Sequence, residues 1–517
     1  MGLSWTKSVA DFKSPVRVVT QVLWRSRRSK ARKCQRLKRE LDEARWAIAR
    51  KDARLQRQQE QICELRRQLQ RAEIEKEQIQ ARLPCRLPDD PPLKGHKFGE
   101  RMICLALNLA RTVGLRPTER VLKIIWEWLG VQQPPPDWTT IRTWLQRVGI
   151  AALDEPMEPA DDWIWMADHS NQIGPEKALV VLGVRASQLP PPGETLKHED
   201  VRLLTVQPGT AWKREDMAAV YDQLAERYGP PRAVLCDGAV ELREGVEGLK
   251  HRRSDTIVVQ DFKHKAAIFL KSLLGNCSRF AEFNTQLGKT RSAIQQTEMA
   301  HLTPPSQKPK ARFMNLGPTL DWAATVLWLL DHPEAEGRNA IASERLEEKL
   351  GWLRSFADDL TEWRECQQTI NAGLKFINEQ GLFRGAGEQL RTAIGAASTH
   401  DTSRQLAERL VAFVTAAESD LQPGERLPMS TEILESTFAL YKQLERQHSK
   451  GGFTSLLAGF GALLKTATKE NVRRAFATVS VKDVRQWTRE HLGATLTSKR
   501  QAMYNEFRVA TKLAATT

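Results

Sequence analysis

Trp163-Ile-Trp-Met-Ala-Asp168 opens the stretch, running to Asp261, whose order of apolar runs decides the fold. The first run, Trp163 to Ala167, stops at Asp168. Two more follow, Ala178-Leu-Val-Val-Leu-Gly-Val184 and Val201-Arg-Leu-Leu-Thr-Val206. Lys213 to Tyr228 then changes period: Met217, Val220, Tyr221, Leu224 and Ala225 recur at helical spacing. Gly229-Pro230-Pro231 breaks that helix. A fourth run, Ala233-Val-Leu-Cys236, stops at Asp237. Glu241 to Lys250 reads as a second helix, and a fifth run, Thr256-Ile-Val-Val-Gln260, stops at Asp261. The order is strand, strand, strand, helix, strand, helix, strand.

Three strands joined by tight loops read as an antiparallel meander, and strands joined through helices read as parallel crossovers. Together they give a mixed five-stranded sheet, the α/β ribonuclease-H-like arrangement. In such sheets the chemistry gathers where side chains leave the strand ends. Asp168 and Asp237 each follow an apolar strand directly. One such acid is commonly a turn or helix cap. Two in this strand order read as a metal-binding pair.

The chain has 517 residues and a formal charge of +15, room for several domains and an excess of positive charge suited to a polyanion. Nucleic acid is the first candidate. No apolar run approaches the roughly 18 residues that span a bilayer, so no membrane partner is expected. An apolar core followed by a small-residue cleavage site is not seen at the start. The seven cysteines include no Cys-x-x-Cys pair, which speaks against zinc and against a disulfide framework. The expectation is a reduced, cytoplasmic protein without a small-molecule cofactor.

Around the sheet the chain divides by pattern. Residues 1–33 form a basic N-terminal arm, with Arg25, Arg27, Arg28, Lys30, Arg32 and Lys33 clustered; a solvated tail and a DNA-backbone contact both fit. Residues 34–82 read as a coiled coil. One seam position carries Cys34, Leu41, Ile48, Leu55, Ile62 and Leu69; the other carries Leu37, Ala44, Lys51, Gln58, Leu65 and Ala72. A homodimer would cover that stripe, which a lone solvated helix leaves wet. Pro84 to Pro92 is a linker. Residues 95–150 contain three short helices: Phe98 to Val113, Thr118 to Leu129 with Thr118 as cap, and a third capped by Asp137 or Thr139 and ended by Gly149. They read as a helix-turn-helix DNA-binding domain or as a plain bundle. In the first case Thr139, Thr140, Arg142 and Thr143 face double-stranded DNA, while Trp138, Ile141, Trp144 and Leu145 pack inward. The core's first part spans 160–275. A large all-helical insertion spans 276–425, broken by the proline loop Thr303 to Lys310, with Trp322, Trp328, Trp352 and Trp363 read as its core. Leu421 to Pro428 is a linker. Residues 426–465 bring a helix capped by Ser430 or Thr431, with Ile433, Leu434, Phe438 and Tyr441 on its buried side. A basic region, 466–517, closes the chain.

These pieces resemble the DDE transposases of bacterial insertion sequences. Trp165-Met-Ala-Asp168 and Val234-Leu-Cys-Asp-Gly238 look like the two Asp motifs of that family. Ile433-Leu-Glu-Ser-Thr-Phe438, with Lys442 two turns on, is similar to its Glu motif, and Gln260-Asp-Phe-Lys-His264 to the Asp-x-x-His element after the fifth strand. The resemblance covers about residues 160–275 and 425–465. The Tyr and Arg that precede the Glu in one signature of the family would fall at Pro428 and Thr431, so that subgroup is not the one resembled. What the resemblance implies is a catalytic and metal-binding set of Asp168, Asp237 and Glu435 holding two ions of Mg²⁺ or Mn²⁺. Lys442, His264 and Lys265 would touch DNA; a capping Asp261 with His264 at the surface is the plainer alternative. Glu432, one turn before Glu435, competes for the third place.

The residue types suit the chemistry. Phosphodiester strand transfer uses two divalent ions about 3.5–4 Å apart, and Mg²⁺ prefers carboxylate oxygens. The expected function is therefore a DNA transposase that binds element ends, cleaves and transfers strands. The alternatives are a metal-dependent nuclease on the same fold that does not join, or a catalytically inactive DNA-binding regulator. For the coil, replacing Leu41, Ile48 and Leu55 with polar residues is expected to turn an N-terminal fragment from dimer to monomer in sedimentation. A dimer that persists would refute the seam.

Overall fold

Ala178–Val184 and Ala233–Cys236 contain no charged or hydrogen-bonding side chain except a thiol, and strands without alternation need cover on both faces. The computed structural model describes residues 16–82, 90–171, 176–306, 313, 316–332, 341–395, 397–448, 453–493 and 496–514, and sets both runs inside a five-stranded sheet. Its strands are β1 (Trp163–Asn171), β2 (Lys177–Arg185), β3 (Arg202–Gly209), β4 (Ala233–Cys236) and β5 (Ile257–Gln260), in the order β3-β2-β1-β4-β5. β1–β2 and β2–β3 are antiparallel; β1–β4 and β4–β5 are parallel. That mixed order is the one expected of a ribonuclease-H-like core.

One strand end differs from expectation. Asp168 does not end β1: it pairs with Val180, and the hairpin ladder continues to Asn171 opposite Lys177. β2 supplies backbone partners there, so the strand extends although its side chains have turned polar. What ends beside Asp168 is the parallel pairing with β4, whose last register pair is Ala167↔Cys236.

The chain separates into two units, Met1–Leu87 with Trp328–Gly351, and Pro88–Leu327 with Trp352–Thr517. In the first, helix α1 runs unbroken from Val16 to Arg82. The boundary expected at residue 33 is absent, because no Pro or Gly interrupts a sequence rich in Arg, Lys, Gln and Ala. The expected arm's residues 1–15 lie outside the described residues. Along α1 the seam side chains Leu37, Leu41, Leu55, Ile62, Leu65 and Leu69 are 49–61% exposed. Trp328, expected in a core, is exposed and stacks on His332.

In the second unit α2 (Glu100–Val113), α3 (Leu115–Leu129) and α4 (Trp138–Leu153) come first. Asp90, just upstream in the chain, accepts from Arg101 N and Met102 N at 2.9 Å and so serves the first turn of α2. α3 begins before its expected cap: Thr118 lies buried in the first turn and its hydroxyl donates to Gly114 O. α4 is capped by Asp137, as the spacing implied, but runs through Gly149 to Leu153. A Cβ at Gly149 would lie 2.1 Å from Ala458 O. That close approach of residues 455–463 accounts for a glycine inside a helix, where it otherwise costs about 1 kcal/mol. Arg147 of α4, buried, donates to Val479 O and Phe476 O and lies over the Phe476 ring.

α5 (Arg214–Tyr228) and α6 (Val240–Gly245) cover one face of the sheet, packing Met217, Tyr221, Leu224, Tyr228 and Leu242 on Trp163, Trp165, Ala167, Val234 and Cys236. Each large side chain so buried stabilises the fold by roughly 1.5–3 kcal/mol. α7 (Phe262–Leu274) follows β5. Then come α8 (Ser278–Ile294), α9 (Gly317–Asp331), α10 (Ser343–Leu350), α11 (Ala357–Gln380), α12 (Ala386–Gly395) and α13 (Asp401–Glu418). Residues 307–310 of the proline loop lie outside the described residues, as do 84–89 of the first linker. The second linker is not loose. β7 (Arg426–Leu427) pairs with β6 (Leu382–Phe383), and buried Arg232 donates to both carboxylate oxygens of Glu425, at 2.7 and 2.8 Å. α14 (Glu432–His448), a 3-10 segment Ser455–Leu463, α15 (Lys469–Thr478), α16 (Val481–Leu492) and α17 (Leu496–Ala514) complete the chain. No helix among the described residues is long and apolar enough to cross a membrane.

Glu445 of α14 is 4% exposed. Tyr441 OH and Thr454 Oγ1 both donate to its Oε2, while Oε1 is buried without a hydrogen-bond partner. Burial pushes its carboxyl up to about 7, against those two donors. A raised carboxyl stabilises the fold only while protonated, so this contribution is present at acid pH and lost as pH rises through about 7. Glu445→Gln is expected to match the wild type near pH 4 and to exceed it above pH 8 by on the order of 2–3 kcal/mol. Thermal unfolding across that range checks it.

Candidate active site

Ala167 and Cys236 face each other in the last parallel pair of β1 and β4, and the next residue on each strand is an aspartate. Neighbouring strands lie about 4.8 Å apart, so register alone sets Asp168 beside Asp237. Alternation turns Asp168 away from the face of Trp163, Trp165 and Ala167 that packs on α5 and α6. Asp237 Oδ1 accepts from Ala239 N at 2.8 Å, closing a turn over Gly238, whose φ of 90° suits glycine. Asp168 Oδ1 accepts from His169 N at 2.6 Å. Burial drives the Asp168 carboxyl up to about 7; the charges of Asp237 and, more weakly, Glu435 add to the rise, while the His169 N–H and His264 oppose it.

The third acid arrives through Asp261. This side chain is 1% exposed, and its two oxygens serve two helices. Oδ1 accepts from His264 N at 2.7 Å and stands 2.9 Å from His264 Nδ1, capping α7. Oδ2 accepts from Thr431 N at 2.6 Å and Thr431 Oγ1 at 2.9 Å, at the start of α14. Asp261 N donates to Cys236 O, and Phe262 N to Met429 O. Burial alone would raise the Asp261 carboxyl, but these donors hold it below the ordinary range. Burial likewise opposes a charged His264 ring, and Asp261, with Asp237 and Asp168 behind it, outweighs that and raises it. The sequence offered a capping Asp261 and a DNA-contacting or surface His264; the structure places His264 half-buried against that cap.

Thr431 is the residue before α14, and its carbonyl accepts from Leu434 N and Glu435 N. The charge of Glu435, on the first turns of α14, reaches Asp168. Glu432 accepts from Asn378 Nδ2 of α11 at 2.8 Å. Glu435 is itself held: Lys263 Nζ of α7 lies 2.7 Å from its Oε2. Among the described residues no three His, Cys, Asp or Glu side chains meet closely enough to hold a metal ion. The aspartate pair offers the hard oxygen donors a divalent cation takes; the glutamate is turned to the lysine. Lys263 escaped the sequence reading although it sits inside Gln260-Asp-Phe-Lys-His264. The signal for it was its place on a first helical turn beside the capping acid.

The expected DNA-contacting residues are scattered. Lys442 Nζ lies 6.0 Å from the Phe438 ring centroid. Lys265 Nζ donates to Gln260 Oε1 and lies 5.5 Å from the centroids of both the Phe269 and the Phe413 rings. On α4, Asp137 engages Thr139 and Thr140 through both their amides and hydroxyls, and Thr143 Oγ1 donates to Thr139 O. Arg142 is half-buried, its guanidinium 5.5 Å from the Trp138 ring centroid and its Nε without a hydrogen-bond partner.

No family model matches the chain, and no curated protein does. Among solved structures, 80% of the chain aligns with 86% of a chain from the Drosophila P element transposase strand transfer complex, at 11% identity and a TM-score of 0.28. A score that low carries no argument about fold or activity.

Removing the Asp261 carboxylate leaves buried donors on two helices without an acceptor. Asp261→Ala is expected to lower stability by about 2–4 kcal/mol and to raise hydrogen exchange in the first turn of α14. Unchanged exchange there would show that the helix is held by other contacts.

Proposed function

We propose that the chain is a DNA transposase: it binds the ends of a mobile element and carries out metal-dependent cleavage and strand transfer. The observation that supports this most is the pairing of Asp168 and Asp237 one residue beyond Ala167↔Cys236, with Glu435 brought within electrostatic reach of Asp168. Burial and the charge of Asp237 beside it both disfavour an ionised Asp168, and a cation joining the two carboxylates would offset this. Asp168, Asp237 and Glu435 would hold Mg²⁺ or Mn²⁺, two ions per site. When bound, such ions activate the attacking hydroxyl or water and stabilise the leaving oxygen. The residues themselves do the positioning. β1 and β4 fix the two aspartates by register, and the Asp261 bonds to Thr431 fix the start of the helix that carries Glu435.

The net charge of +15 suits a polyanionic partner. We assign end binding to the helical module at 95–150, with Thr139, Thr140, Arg142 and Thr143 near the start of α4, and further backbone contacts to Lys442, His264 and Lys265. The exposed seam of α1 supports a homodimer through a coiled coil.

Asp168→Asn, Asp237→Asn and Glu435→Gln keep shape and remove charge. Each is expected to cut cleavage and joining of end-bearing oligonucleotides by at least about 10³-fold while leaving end binding within twofold. Joined product from the wild type separates a transposase from a nuclease that only cuts. Retained cleavage in any of the three variants would remove that residue from the site.

A further inference from the structure

Lys263 lies on the first turn of α7, two residues beyond the acid that joins α7 to α14. Its Nζ is 2.7 Å from Glu435 Oε2 and 4.0 Å from Glu432 Oε1. The lysine side chain is 23% exposed and that of Glu435 35%. Exposed ion pairs between mobile side chains contribute little. This pair differs because both backbones are fixed nearby: Asp261 bonds His264 N, next to Lys263, and Thr431 N, four residues before Glu435. Among the described residues neither Asp168 nor Asp237 has a lysine or arginine within ion-pair distance. Of the three acids, Glu435 alone carries its own ammonium group.

We propose that Lys263 is a built-in competitor for divalent cation at Glu435. It occupies the carboxylate in the metal-free chain, and loading of the site requires Glu435 to turn from Lys263 toward the aspartates. This rests on the metal-site reading above and adds to it a device that keeps the third ligand withheld until a stronger cation arrives. A divalent ion carries twice the charge of an ammonium group and prefers carboxylate oxygen, so it wins the exchange, but at reduced affinity. No bond is made or broken in the exchange beyond ion pairing, and no proton needs to leave.

The test is Mn²⁺ binding to the full chain without DNA, read from the spectrum of free Mn²⁺ in solution, with thermal unfolding as the control for folding. Lys263→Met, and Lys263→Gln as a second variant, are expected to tighten Mn²⁺ binding about 3- to 10-fold. In a Glu435→Gln background the same substitutions are expected to change nothing, because the contested ligand is gone. Equal tightening in both backgrounds would show simple charge repulsion and overturn the proposal, as would unchanged or weaker binding. If the wild type takes up no more Mn²⁺ than the double variant Asp168→Asn, Asp237→Asn, the metal site itself fails, and this proposal fails with it.

Discussion

One carboxylate decides where the last acid can stand. Asp261 ends the fifth strand, caps the helix that follows it, and accepts two hydrogen bonds from Thr431, 170 residues later. A buried charge is tolerable only when donors surround it. Here the donors come from two helices, so satisfying the acid and positioning α14 are the same event. The backbone bonds from Asp261 N to Cys236 O and from Phe262 N to Met429 O tie that junction to β4, the strand that delivers Asp237. The geometry of the acids therefore descends from strand register on one side and from a cap on the other.

The sheet was legible because its central strands β2 and β4 are buried along their length and read as unbroken apolar runs. Asp237 was legible because its run ends in the structure where it ends in sequence. At Asp168 the sequence pattern is only a partial guide: the apolar run ends, but the strand does not, since pairing with β2 is a property of two segments and cannot be read from one. Glu432 is engaged by Asn378 of α11, a partner that no local pattern announces. Lys263 was invisible because its partner lies 172 positions distant. α4 shows the same limit. Its apolar positions Ile141, Trp144 and Leu145 announced one buried face, but Gln146, Arg147 and Gly149 are buried by segments more than 300 positions later, which donate no local signal.

Charge distribution inside the site is uneven, and that unevenness has a physical origin. β-strands bring acids together by register whatever their charge, so Asp168 and Asp237 meet side by side; burial then penalises an ionised Asp168, and His264 offsets this only in part. Helices place side chains by rotation, so α7 could bring a lysine to the acid of α14 in the same step that joined them. The helix pair thus carries a lysine–glutamate ion pair, and the strand pair has no lysine or arginine within ion-pair distance among the described residues.

The long helical excursion between α7 and α14 leaves and returns at a single point. Phe262 N bonds Met429 O, Asp261 bonds Thr431, and Arg232, at the foot of β4, grips Glu425 and Asp420 O just before the return. A loop whose ends are clamped together transmits little of its own size to the frame that clamps it. Closure entropy grows only with the logarithm of length, about 0.6 kcal/mol for each doubling. The length of the excursion therefore weighs little on that junction; its packing weighs more, since Asn378 of α11 holds Glu432 at the start of α14.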